Sequence, residues 1–123
     1  MTTEFLNTIP VLPSSDIERD IAWYQEKMGL KTYFTDKLYA ILYRDRLCIH
    51  LQWHADTPDD PLLGGSVMRI YVKNIIPLFD ELVQRGAITP DKLKMNTGWN
   101  TNEFGFYDLN NNAIFIMEDA ARE

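Results

Sequence analysis

A single cysteine in 123 residues rules out an internal disulfide, and Cys48 sits inside the apolar run Leu47-Cys48-Ile49, where a buried, inert thiol is expected. No apolar stretch approaches the roughly 18 residues that a helical membrane span requires. The first seven residues, MTTEFLN, have neither the basic start nor the apolar core of a secretory signal. A reducing, cytoplasmic location is the expectation. Basic residues are outnumbered, 12 against 18 acidic, for a net charge of −6. They are scattered as Arg44/Arg46, Lys73, Arg85 and Lys92/Lys94, so no cationic stripe is available to neutralise phosphates, and nucleic acid is excluded as a partner. The chain also has no Gly-x-Ser-x-Gly elbow and no glycine-rich phosphate loop.

What is present is a repeated order of elements. Residues 5–12 read as a strand closed by Pro13. Ser15 and Glu18 fit a capping box that opens a helix, with Ile17, Ile21, Tyr24 and Met28 at helical spacing and Gly29 as the stop. Strands are expected over residues 30–34, 39–44 and 47–54. Alternation in the last puts Cys48, His50, Gln52 and His54 on one face and Leu47, Ile49, Leu51 and Trp53 on the other. Residues 55–65 hold prolines, acids and a glycine pair, which mark a linker in which Asp59 and Asp60 are solvated.

A weaker copy follows. Residues 66–72 read as a strand, and Asn74 caps a helix through Arg85, with Gly86 as its stop. Residues 87–94 are ambiguous because Pro90 limits any strand there. Residues 103–108 and 113–118 form a hairpin around Leu109-Asn110-Asn111-Asn112. Trp23, Tyr24, Trp53 and Phe79 are read as packing residues, whereas Trp99 stands in a polar loop beside Gly98 and Asn100.

These pieces together resemble the vicinal oxygen chelate superfamily of glyoxalase, bleomycin resistance and dioxygenase proteins, and within it the bleomycin-resistance-like branch. The resemblance is carried by IPVLPSSD at 9–16, Trp23-Tyr24 with Gly29-Leu30, YAIL at 39–42, residues 47–54, and Trp99 through DLNNNA at 108–113. It implies an α+β fold of two paired βαβββ modules, each a curled half-barrel: one domain over 1–123, with module one at about 1–54, linker 55–65 and module two at about 66–123. It implies a homodimer with cups between modules, in which resistance proteins sequester a bulky cationic glycopeptide without chemistry. In metal-dependent members those cups hold a divalent ion. The corresponding positions here fall at Ile9, Val67 and Phe115, with only His50 as a plausible ligand, and three protein ligands are the usual minimum. No metal, cofactor or catalytic residue is therefore expected. An enzyme with displaced ligands is the alternative, and a metabolite-binding protein with neither drug nor reaction is the blander one.

By the same resemblance, a small-molecule ligand would meet Phe34, Asp36, Tyr39, Leu42, His50, Gln52, Arg69, Trp99, Asn100 and Phe115. Leu42 stands where a second ring is usual. Arg69 is expected to pair with Glu103 or Asp108, or to meet an anionic group of the ligand.

Overall fold

The computed structural model describes residues 1–62 and 65–120. Its elements are β1 (Val11–Ser14), α1 (Ile17–Met28), β2 (Lys31–Thr35), β3 (Tyr39–Arg44), β4 (Leu47–Trp53), β5 (Val67–Tyr71), α2 (Ile75–Gln84), a 3-10 turn (Pro90–Lys92), β6 (Thr101–Tyr107) and β7 (Ala113–Asp119). Two helices and two sheets make the mixed α+β architecture that the sequence implies. The first sheet has the order β1-β4-β3-β2 and the second β5-β7-β6. In each, the strand before the helix runs parallel to the last strand of its half.

The first helix forms for local reasons. Asp16, in extended conformation, accepts the backbone N–H of Arg19 at 3.0 Å, and Glu18 and Asp20 put negative charge at the positive end. The cap is thus Asp16 and not the expected Ser15, one residue earlier. Gly29 takes the left-handed φ of 68° that ends the helix, and a Cβ there would stand 2.8 Å from the Arg85 guanidinium.

Two expectations shift. Residues 5–10 are not a strand: β1 begins at Val11, and Phe5 and Leu6 stand exposed. An apolar run becomes a strand only where a neighbour supplies hydrogen bonds, and β4 supplies them to Val11 through Ser14. In the second half, the strand position after α2 holds the 3-10 turn and a lone bridge from Lys94 to Glu103. Pro90 has no N–H to give to a ladder, so the repeat comes out one strand short.

One buried cluster draws on both halves. It takes Leu12, Ala40, Leu42, Ile49 and Leu51 from the first sheet, Met68, Phe104, Ile114 and Ile116 from the second, and Tyr24, Met28, Phe79 and Leu82 from the helices. Each sheet thus turns one face to the helices and the other away from them, and on the second sheet part of that outer face (Thr101, Glu103 and Met117) is itself buried.

Among the described residues, polar contacts tie the halves at two places. The larger is buried and centres on two carboxylates. Asp20 accepts from Ser14 Oγ, from Arg19 Nε at 2.9 Å and from Asn110 Nδ2 at 2.6 Å. Asp108 accepts from the Tyr24 hydroxyl at 2.6 Å, from Asn112 Nδ2 at 2.8 Å, and from the Asn110 and Asn112 amides. Burial and the charge of Asp108 push the Tyr24 phenol well above its usual range, so it stays a donor. The second contact is at the other end, where Arg44 makes a two-pronged pair with Glu81 at 2.7 and 2.8 Å and Arg85 adds a third bond at 2.8 Å. Hydrogen bonds from Arg44 and Arg85 outweigh partial burial and bring the Glu81 carboxyl down to about 2.

Candidate functional site

The uncovered face of the first sheet is set by register. Phe34 pairs with Ile41, Ile41 with His50 and His50 with Val11, so these four form a row across the strands. The next row holds Tyr39, Gln52 and Pro13. The Tyr39 hydroxyl lies 2.7 Å from His50 Nδ1, with the two rings edge to face at 5.3 Å. This is the partner for His50 that linear sequence does not identify, and it sits on the diagonal of the strand pair. Cys48 belongs to this face and is half-buried rather than buried.

On the second sheet the uncovered face carries Val67, Arg69 and Tyr71 from β5, Phe115 and Met117 from β7, and Thr101, Glu103, Gly105 and Tyr107 from β6. The Phe115 ring lies across Gly105, where an added Cβ would fall 2.6 Å from the ring, so this glycine makes room for the aromatic. Glu103 is 6% exposed although it is on this face. Its Oε1 accepts from Thr101 Oγ1 and, at 2.6 Å, from the indole N–H of Trp99. Burial would raise its carboxyl, but those two bonds and the charges of Arg69 and Lys94 together hold it below the ordinary range. Arg69 gives Nη2 to the Met117 sulfur at 3.0 Å, and its charge acts on Glu103. Asp108 is instead committed to Tyr24 and the 110–112 turn.

Trp99 stands in a tight turn. Asn100, with φ of 66°, donates its N–H to the Thr97 carbonyl at 3.0 Å, and Thr97 in turn bonds Thr101 through backbone and side chain. The ring is 61% exposed. The backbone of Asn100 is thus part of the turn that carries Trp99.

Most of the residues expected to meet a ligand fall on these two walls: Phe34, Tyr39, His50 and Gln52 on the first, Arg69 and Phe115 on the second, with Trp99 at its edge. Leu42 does not. It pairs with Ile49 on the helix side of the first sheet and is completely buried, so it belongs to the core and to no cavity wall. Asp36 occupies the β2–β3 turn, where its carboxylate accepts the Leu38 N–H at 2.8 Å. The walls also carry Val11, Ile41, Tyr71, Thr101, Gly105, Met117 and Tyr107, which are not among the residues expected to meet a ligand, and Glu103, expected only as a partner for Arg69. The alternation of Phe104 and Phe106 in β6 was the available signal for Glu103 and Gly105.

The residues at the superfamily's metal positions do not fit an ion. Val67 and Phe115 carry no donor, and Ile9 precedes β1, where register makes Val11 the neighbour of His50. Among the described residues no group of three His, Cys, Asp or Glu side chains is placed to hold a metal. His54 is engaged with the linker, with Nδ1 2.8 Å from Asp60 Oδ1, while Asp60 also accepts the Ala55 N–H. Asp60 thus folds the linker back on itself while its side chain stays 41% exposed, and Asp59 beside it is exposed, so the pair remains in contact with solvent.

No family model matches the chain. Among known structures it superposes on a bleomycin-binding protein complexed with bleomycin, with a TM-score of 0.77 over 94% of this chain and 99% of that one at 17% identity. A glyoxalase/bleomycin resistance protein/dioxygenase from Nocardioides gives a TM-score of 0.77 over 100% of this chain and 89% of that one, at 14% identity. The chain has the fold of the glyoxalase/bleomycin resistance/dioxygenase superfamily. In sequence it is similar to bleomycin resistance proteins: that of Geobacillus stearothermophilus is 27% identical over 127 residues, covering 92% of this chain and 96% of the relative.

Proposed function

We propose that the protein binds a bulky, aromatic-bearing small molecule of the bleomycin type and acts by sequestering it, in a cup built between the first sheet of one copy and the second sheet of another. The observation that carries this reading is the pair of uncovered walls. Each presents aromatic rings (Phe34 and Tyr39 on one, Trp99 and Phe115 on the other) interspersed with a few fixed polar groups. Such a surface recognises by stacking and oriented hydrogen bonds. The sequence relatives support the choice of drug class. Val67, Tyr71 and Tyr107 are 63%, 63% and 67% exposed on the second wall, which is the kind of apolar surface that a second copy covers.

Sequestration needs affinity alone. Apolar area removed from water contributes roughly 25 cal/mol per Å², offset by the cost of immobilising the ligand, so walls whose side chains are already held in place favour binding. Titration of the purified protein with metal-free bleomycin by calorimetry tests the reading. Saturable binding with one ligand per cup at micromolar concentration is expected. No heat at those concentrations would overturn the drug assignment, and a monomer by sedimentation would overturn the shared cup.

A further inference from the structure

We propose that Glu103 is the specificity-determining residue of the second wall: one of its oxygens fixes the Trp99 ring as a shelf, and the other takes a cationic or N–H-bearing edge of the flat group that stacks there. The inference rests on the binding reading above and adds to it a charge rule and the residue that enforces it.

Three observations carry it. A tryptophan at a loop tip ordinarily gives its indole N–H to water and leaves its ring free to turn. Here the N–H is given to Glu103 at 2.6 Å, while the Thr97–Asn100 turn fixes the backbone beneath it. A ring held at both ends keeps a face available without losing rotamer freedom when a ligand arrives.

The second observation is the asymmetry of the carboxylate. Both donors, Thr101 and Trp99, bond Oε1. Oε2 receives no hydrogen bond among the described residues, yet it is not one of the buried atoms left without a partner, so it reaches solvent on the open face. An ionised carboxylate at 6% exposure with an unused, accessible oxygen is poised to accept one more hydrogen bond, and a charged donor makes the strongest.

The third observation is the surroundings. Arg69 spends one N–H on the Met117 sulfur, a weak acceptor, and does not reach Glu103 closely enough for an ion pair. It balances the charge while leaving Oε2 open. Thr101 and Glu103 lie on the same strand face as Phe115, so the shelf, the acceptor and the Phe115 ring belong to one wall.

The test uses the intact protein with two planar probes of similar size, cationic proflavine and anionic anthracene-9-carboxylate, and metal-free bleomycin as a third ligand. Affinity is measured by calorimetry, and the state of Trp99 by acrylamide quenching, taking the difference between wild type and Trp99→Phe. Glu103→Gln decides, because its amide is isosteric and its carbonyl still accepts from Thr101 and Trp99. Wild type is expected to prefer proflavine. In Glu103→Gln the Trp99 quenching stays as in wild type while proflavine weakens about tenfold or more and anthracene-9-carboxylate does not weaken. Glu103→Ala is expected to release the ring, raise Trp99 quenching and weaken both probes. A Glu103→Gln variant that keeps the wild-type preference between the probes would overturn the inference, whatever Glu103→Ala does. If bleomycin binds wild type and the preference is unaltered, the inference alone falls. If wild type binds none of the three, the sequestration reading falls with it.

Discussion

The two halves of the chain are built to one plan and finished differently. The first completes its sheet with four strands, caps its helix from within through Asp16, and closes that helix on a glycine. The second has three strands, and its helix receives no cap from its own Asn74, which sits at φ 61° without a side-chain bond. There, Glu118 from β7 reaches across to accept the Ile75 N–H at 2.8 Å. The lesson is that the half which gave up regularity gained the loop on which the proposed cup relies. The residues that do not form a fourth strand become the long connection whose last turn carries Trp99. The first half is specified locally, and the second depends on partners distant in sequence.

The sharpest way to break that contrast is to remove a partner. Asp108→Ala leaves the buried Tyr24 hydroxyl and the Asn112 amide without an acceptor, and should cost about 3 kcal/mol or more of unfolding free energy in urea. A loss under about 1 kcal/mol would mean that the halves are not joined there. Next in size is the pair Leu42→Ala and Ile41→Ala. The first opens the core and should cost about 3 kcal/mol, the second faces the open wall and should cost under about 1 kcal/mol, so the ratio reports which face each residue occupies.

The second tie between the halves is more exposed and weaker. Both partners of the Arg44–Glu81 pair are about a third exposed, at 32% and 33%, so solvent screening leaves Glu81→Gln at about 1 kcal/mol. Its pH dependence is more telling. The folded carboxyl sits at about 2, below its unfolded value near 4.5, so its contribution is complete above about pH 4.5 and is lost as pH falls toward 2. Glu81→Gln should flatten the acid limb of the stability curve in that window. If the limb is unchanged, other carboxylates govern it.

The smallest effects compare the two helix starts. Asp16→Ala should cost about 1 kcal/mol, because a working cap is removed. Asn74→Gly should change stability by under about 0.5 kcal/mol in either direction, since no cap bond is lost and the left-handed backbone is eased. Equal costs would erase the distinction between local and borrowed capping.

The fold was legible because its signals are periodic. Ile17, Ile21, Tyr24 and Met28 mark a helix whatever surrounds them, and the alternation of residues 47–53 assigns two faces correctly. The errors fall where pairing decides. Phe5 and Leu6 look like strand residues, but β1 starts six residues after Phe5 because β4 runs beside Val11 and not beside Phe5. Ser15 and Asp16 are both good caps, and only the backbone geometry chooses between them. Leu42 could have been excluded from the wall by alternation alone, since positions 39 and 42 on one strand point to opposite faces. The Tyr39–His50 contact needs the strand register, and the Trp99–Glu103 bond needs a loop conformation that composition does not encode. Half of the candidate site was therefore visible as residue types, but its wiring was not.

The buried contact between Asp20 and Asn110 joins positions 90 apart in the chain. Closing a span of that length costs entropy before any bond is rewarded, so this contact is expected to form late in folding. Variants at Asp108 or Asn110 are expected to accelerate unfolding while leaving the refolding rate nearly unchanged. The same arrangement makes the last hairpin a clasp on the first helix, and on this expectation Asp20, Asp108, Asn110 and Asn112 set the lifetime of the native state more than the speed of reaching it.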